Sequence, residues 1–278
     1  MTTRKPTRTT LRRSHLIGLS IAALWLAVVV VFAVFAPVMG FLDDPTKSSL
    51  NVNQGPSWSS WFGTDELGRD LFARVVWGSR PSLLIALIST AFGVVVGGLL
   101  GLVSGFFKGL VDDFISGAVN VMLSLPALIF ALLVVTILEQ NIRNVIIAVS
   151  LLSTPAVARI VRAQTLSIAN RGYVQAARSL GATRKRIIFK EILPNILPVV
   201  LSLSFIAFGI VIVAEGSLSF IGKSVPSPSI TWGSLLSIAK GKLEDAPHLT
   251  IYPALVIFLT LLSVNYAGNT LLNKSSQD

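Results

Sequence analysis

The sequence predicts an all-α membrane protein with six transmembrane helices, and three observations carry that prediction. Of 278 residues, 53% are hydrophobic and 13% are charged, with mean hydropathy +0.75, whereas soluble proteins carry about 25% charged residues. Apolar runs near the roughly 20 residues that cross a bilayer recur along the whole chain. With six spans and both termini cytoplasmic, fifteen of the 23 Lys and Arg fall on the inner side and eight on the outer, the sense of the positive-inside rule. That asymmetry accounts for the net charge of +10 through headgroups and a protein partner, so nucleic acid is not implied. Cysteine is absent, which excludes disulfides, thiolate nucleophiles and Cys-based metal sites.

Residues 1–15 form a cytoplasmic tail with Arg4, Lys5, Arg8, Arg12 and Arg13 and no acid. The uncharged run that follows is longer than the roughly 7–15-residue core of a signal peptide. Ala33 and Ala36 also have the wrong spacing for a cleavage site, so residues 16–39 are an uncleaved first span. The outer segment, 40–80, is polar and turn-rich, and Trp58, Trp61 and Phe62 suit an interfacial aromatic belt. Within it, Thr64 is positioned to cap a helix whose first turn holds Asp65 and Glu66. Asp65/Arg69 and Asp70/Arg74 then form i,i+4 pairs, with Leu67, Leu71 and Val75 on the opposite face.

The second span, 81–107, carries Gly93, Gly97, Gly101 and Gly105, a stripe along which a neighbouring helix backbone can approach. Lys108, Asp112 and Asp113 mark a short cytoplasmic turn. The third span, 114–138, contains Pro126, where a kink is expected. The fourth, 144–165, works only if Arg159 and Arg162 snorkel to the inner interface. The fifth, 194–220, holds Glu215 near its outer end, and the sixth is 250–272. An ionisable residue at a span end is functional or paired by default; Glu215 is expected to order an outer gate with Arg69 or Arg74.

Between the fourth and fifth spans lies a cytoplasmic loop, 166–193. Its cations, Arg171, Arg178, Arg184, Lys185, Arg186 and Lys190, meet one acid, Glu191, which keeps the stretch out of hydrocarbon. Tyr173, Ala176, Ala177 and Leu180 recur at helical spacing and give one apolar face. Gly181 is a helix stop in the left-handed conformation, Thr183 can cap a second turn, and Pro194 fits the entry of the next helix. The physical reading is a short helix that presents its apolar face to something other than lipid.

At these residues the chain resembles a family. Gln175-Ala176-Ala177, then Gly181, then Ile192-Leu193-Pro194, resemble the EAA loop of permease subunits in bacterial ABC importers, with Gln175 where Glu is usual. The segment Phe62-Gly-Thr-Asp-Glu-Leu-Gly-Arg-Asp70 resembles the FGTDxxGRD signature of the dipeptide, oligopeptide and nickel branch. Glu215 with Ser217-Leu-Ser-Phe-Ile-Gly222 is similar to that branch's E-x-SLSFLG segment. The Ala267-Gly268-Asn269 region departs from the branch's usual GDxLRDxxDPR ending.

The resemblance implies a type I importer permease fold in the bacterial cytoplasmic membrane. It further implies a heterodimer with a homologous permease, two ATPase subunits and an extracytoplasmic substrate-binding protein. Tyr173, Gln175, Ala176, Ala177, Leu180, Gly181, Ile192, Leu193 and Pro194 would then form the coupling element that docks on the ATPase. ATP and Mg would be bound by the ATPase subunits and no cofactor by this chain; di- or oligopeptides fit the branch best. The competing class is a stand-alone channel or secondary carrier, which usually shows internal repeats and mid-membrane ionisable residues; neither is seen here.

Catalytic and metal sites are not expected. Gly216 to Ser224 imitates a phosphate-binding loop, but five residues separate Gly216 from Gly222 where the motif needs four. His15 and His248 fall on opposite sides of the membrane in this topology, so they form no metal pair or dyad.

Overall fold

The computed structural model describes residues 8–275, with side chains from 17 to 270. Residues 1–7 of the expected tail, and the side chains of Arg8, Arg12, Arg13, His15 and Lys274, lie outside the described residues. The helices in chain order are α1 (Arg8–Phe35), α2 (Leu71–Phe107), α3 (Gly109–Ser124), α4 (Ala127–Leu138), α5 (Ile142–Ala169), α6 (Gly172–Ser179), α7 (Arg184–Arg186), α8 (Leu193–Phe220), α9 (Trp232–Ile238) and α10 (His248–Ser275). A π-helical turn, Ile187–Ile192, joins α7 to α8. Among the described residues, five stretches are long and apolar enough to cross a membrane, and the bent pair α3–α4 makes a sixth if it is one span.

The centre of the molecule is the α2–α5 seam, and the glycine stripe makes it. A Cβ at Gly97 would lie 2.5 Å from the carbonyl oxygen of Thr154, and one at Gly101 would lie 2.4 Å from that of Ala158. At Gly105 the nearest atoms belong to Thr165 and Arg162, and at Gly93 to Ser153. The two backbones therefore touch within this subunit, which bare glycines allow. On either side of the seam, Ile85, Ala86, Val145, Ala148 and Val149 are fully buried with Val211 and Leu218 of α8.

Helix boundaries depart from the sequence expectation where side-chain chemistry overrides pattern. The segment 64–70 is not a helix capped by Thr64. It is a tight loop closed by a Thr64–Asp70 bridge, with Gly68 at φ +69°. The cap of α2 is instead Asp70, whose carboxylate accepts the Ala73 amide at 2.7 Å. Asp70 is thus not the partner of Arg74, and Leu67 is exposed while Leu71 and Val75 are buried. The second span begins ten residues before Pro81, which lies inside α2.

The third span is broken rather than kinked. Leu125 and Pro126 separate α3 from α4, whose axes meet at 93°. Asp112 is not in a turn; it is in the first turn of α3 and buried. The fourth span is a full 28-residue helix from Ile142, because Asn141 caps its start by accepting the Asn144 amide at 2.9 Å. The segment between α8 and α10 contains a short helix, α9. Thr231 caps it in a reciprocal box with Ser234. Trp232 is almost fully buried, donating from its indole to the Val75 carbonyl at 3.0 Å and from its amide to Ser82 Oγ at 2.9 Å. Trp58 is fully exposed, while Phe62 stacks on Tyr252 with ring centroids 4.2 Å apart.

Candidate functional site

At one end of the bundle, α6 sits as a short shelf across the end of α5. Val174 is 0% exposed and anchors it in a cluster with Ile168, Ala169, Ile187 and Ile192. The outward face carries Tyr173, Ala176 and Leu180, with Leu180 88% exposed and Ala177 half-buried beside them. Tyr173, Ala176 and Leu180 thus form an exposed apolar face on a helix anchored from its other side.

The shelf has a firm end. The amide of Ala182 donates to the Ala177 carbonyl and that of Gly181 to the Arg178 carbonyl, both at 3.0 Å, with Gly181 at φ +81°. These bonds form a Schellman closure, in which glycine avoids the left-handed penalty. Thr183 then caps α7 by accepting the Arg186 amide at 3.3 Å. Gln175 is exposed, with its amide nitrogen 3.5 Å from the Ala169 carbonyl; a glutamate could not donate that bond. Ile192 is 0% exposed, so it supports the shelf from beneath and does not line its outer face. Leu193 is half-buried and Pro194 is exposed at the start of α8, on the far side of the π-turn from the α6 face.

At the same end, α3 is tied to the α2–α5 seam by an ion pair that sequence spacing could not reveal. Asp112 accepts from Arg162 Nε and Nη2, both at 2.6 Å, from Ser116 Oγ at 2.9 Å and from Ser104 Oγ. Arg162 therefore meets a carboxylate instead of snorkelling freely. Only Asp112 and Val119 of α3 are buried, so this pair is the main attachment of that helix within the subunit.

At the opposite end, the loop before α2 is wound around Asp65. Its Oδ1 accepts the amides of Leu67 and Arg69, both at 2.9 Å. Its Oδ2 lies 2.7 Å from Arg69 Nε and 3.1 Å from Arg74 Nη1. Asp65 and Arg74 are both buried, which makes the pair a fixed element and not a surface contact. The His248 Nε2 lies 3.1 Å from the Thr64 carbonyl and ties α10 to this loop.

Glu215 joins neither arginine. It is 3% exposed and accepts from Ser219 Oγ and Ser224 Oγ, both at 2.8 Å, while Thr231 Oγ1 lies 3.2 Å from Ser219 Oγ. The expected partnership with Arg69 or Arg74 is thus replaced by three hydroxyls that fasten the loop after α8 to that helix. Among the described residues no cluster of His, Cys, Asp and Glu could hold a metal.

This architecture and this sequence have close counterparts. Residues 97–276 match the family described as binding-protein-dependent transport system inner membrane component. The glutathione transport system permease protein GsiD of Escherichia coli O157:H7 is 37% identical over 261 residues, 94% of this chain and 86% of the relative. GsiD of Shigella flexneri serotype 5b (strain 8401) is 38% identical over the same span. In fold, the chain is similar to a chain of the MetNI methionine ABC transporter in an inward facing conformation, with TM-score 0.63 over 74% of this chain and 97% of that one, at 19% identity. A chain of an amino acid ABC transporter solved with histidines matches with TM-score 0.58, again at 19% identity and 74% of this chain. With two thirds of its length matched by the family model and nearly all of it by relatives above 30% identity, the chain belongs to the binding-protein-dependent transport family and is a multi-pass ABC importer permease subunit of the plasma membrane.

Proposed function

We propose that this subunit forms half of the translocation pathway for a small peptide and is driven through the 173–194 stretch by a separate ATPase. It would work as a heterodimer with a homologous permease, two ATPase subunits and an extracytoplasmic binding protein, with α6 and both termini in the cytoplasm. The peptide class is supported by the relatives at 37–38% identity, which are named for glutathione transport. The observation that carries the coupling reading is the α6 shelf: an exposed apolar face fixed from beneath by Val174 and ended by Gly181.

The mechanism follows from how the shelf is mounted. A displacement of α6 is passed to α5 through Val174 and Ile168. The backbone contacts at Gly97 and Gly101 carry it to α2, and the Asp112–Arg162 pair carries it to α3. Two helices in backbone contact move as one body, because packed interiors deform little. ATP binding to the partner subunits biases the position of that body, a two-state equilibrium set by a distant ligand. At the outer end, Asp65, Arg69 and Arg74 hold one rim of the mouth, with Asp70 fixing the start of α2. Glu215 fastens the neighbouring loop after α8, which packs on the start of α2, through Ser219 and Ser224.

The test is uptake of labelled glutathione and of di- and tripeptides into vesicles holding the full complex. The expected result is accumulation that requires both ATP inside and binding protein outside. Uptake without ATP would instead mark a carrier or channel.

A further inference from the structure

The π-turn before α8 has a consequence for the basic residues around it. In a regular α-helix, Ile187 and Ile192 are five residues apart and would face about 140° from each other. The i→i+5 bonding of a π-turn brings residues at that spacing nearly into line. Both are accordingly buried, at 2% and 0% exposure, and Ile196 one turn on is buried with them. The same winding gathers Lys185, Arg186, Phe189 and Lys190 on the opposite face, all of them exposed.

Three further features describe that face. Among the described residues, Lys185, Arg186 and Lys190 form no ion pair. Phe189 is 65% exposed in their midst, which has no use in water. One and two turns into α8, on the side of Phe189, Leu197 and Leu201 are exposed too, on a helix apolar enough to cross the bilayer. A cationic cluster with an aromatic anchor thus runs directly into an exposed apolar row at the start of a stretch apolar enough to span the bilayer.

We propose that Lys185, Arg186 and Lys190 bind the phosphate of an anionic phospholipid in the cytoplasmic leaflet, with Phe189 seated at the glycerol level. Charge complementarity favours an anionic headgroup, and continuity with the Leu197–Leu201 row favours lipid over a soluble protein surface. The inference relies on the cytoplasmic placement of α6 proposed above. Its consequence is regulatory: Ile187 and Ile192, on the reverse of the lipid face, are the floor on which Val174 rests. A bound headgroup would therefore hold the shelf in its docking position.

The experiment uses the assembled complex in vesicles of phosphatidylcholine alone, or of phosphatidylcholine and phosphatidylglycerol in equal parts. It compares wild type with Lys185→Gln/Arg186→Gln/Lys190→Gln and, separately, with Phe189→Ser. Native mass spectrometry reads retained phosphatidylglycerol on the permease pair, a readout independent of the ATPase. At roughly 1 kcal/mol for each cation near an anionic surface, the triple variant should lose up to about a hundredfold in retention. Binding-protein-stimulated hydrolysis should rise several-fold with phosphatidylglycerol in wild type and lose that dependence in the variants. Equal retention by wild type and triple variant overturns the proposal. So does loss of ATPase-subunit binding by the triple variant in phosphatidylcholine alone, which would assign the face to the ATPase. If α6 were not the coupling element, lipid retention would still distinguish the variants while hydrolysis would not.

Discussion

Replacing Gly101 with alanine should damage this subunit by itself, before any partner is considered. The added Cβ would sit 2.4 Å from the Ala158 carbonyl oxygen and 2.8 Å from the Arg162 amide nitrogen. Both obstacles are backbone atoms of a continuous helix, so no rotamer change relieves them. Restoring ordinary contact requires α2 and α5 to move apart by about 1 Å, which opens the seam along its length; overpacking of this kind costs about 1–3 kcal/mol. Gly98 supplies the control, being one residue away on the same helix with nothing within 4 Å of its would-be Cβ. There, alanine should be neutral or stabilising by about 0.5–1 kcal/mol from helix propensity. The assay is thermal unfolding of the purified subunit and of the complex, followed by size-exclusion profile. Gly101→Ala should lower the midpoint in both preparations, and Gly98→Ala should not. Equal midpoints for the two variants would refute the backbone clash, and a defect confined to the complex would place the seam between subunits instead.

Three further outcomes follow from the polar groups that fix helix ends and loops. Asp112→Asn and Arg162→Gln should each destabilise the attachment of α3. A double-mutant cycle should show coupling of about 0.5–3 kcal/mol, read from unfolding midpoints and from protease access to α3. Asp70→Ala removes the α2 cap and should cost about 0.5–2 kcal/mol, whereas Thr64→Ala should not act as a cap loss; comparing hydrogen exchange at the amide of Ala73 separates them. Glu215→Gln preserves an acceptor for Ser219 and Ser224 and should keep uptake near wild type. Glu215→Leu strands both hydroxyls, at about 1–3 kcal/mol each, and should lower uptake; equal uptake by the two variants would remove the carboxylate cluster from the outer gate.

The spans were legible because hydrocarbon demands long apolar runs, and the glycine stripe was legible because its period of four survives in a straight helix. The loop at 64–70 misled because Thr64, Asp65 and Glu66 have the composition of a helix start. What prevents the helix is the Asp65 carboxylate, which takes the Leu67 and Arg69 amides and turns the chain at Gly68. The fourth span reads as needing Arg162 to snorkel because nothing near it in sequence offers a counter-charge. Its partner, Asp112, is 50 residues away, a separation that no local pattern encodes. On charge alone Glu215 pairs with arginines, yet its neighbours are hydroxyls: Ser219 one turn on in α8, and Ser224 in the Pro-rich loop that leads to α9. In the coupling stretch, the helix and its glycine stop were readable. The burial of Ile192 was not, because the π-turn shifts it relative to α-helical spacing.

In the proposed function, α6 transmits force between ATPase and permease. Gly181→Val tests the rigidity of its end: no atom lies within 4 Å of the would-be Cβ, so the damage is confined to a left-handed backbone cost of about 1–2 kcal/mol. Ala177→Trp tests its seat, adding bulk to the half-buried edge of the exposed face. The decisive measurement is binding-protein-stimulated ATP hydrolysis and peptide uptake in the same vesicles, for wild type and both variants. Uptake should fall further than hydrolysis in Gly181→Val, both should fall with ATPase binding in Ala177→Trp, and binding protein should still dock outside. Wild-type hydrolysis and uptake in both variants would contradict this role of α6.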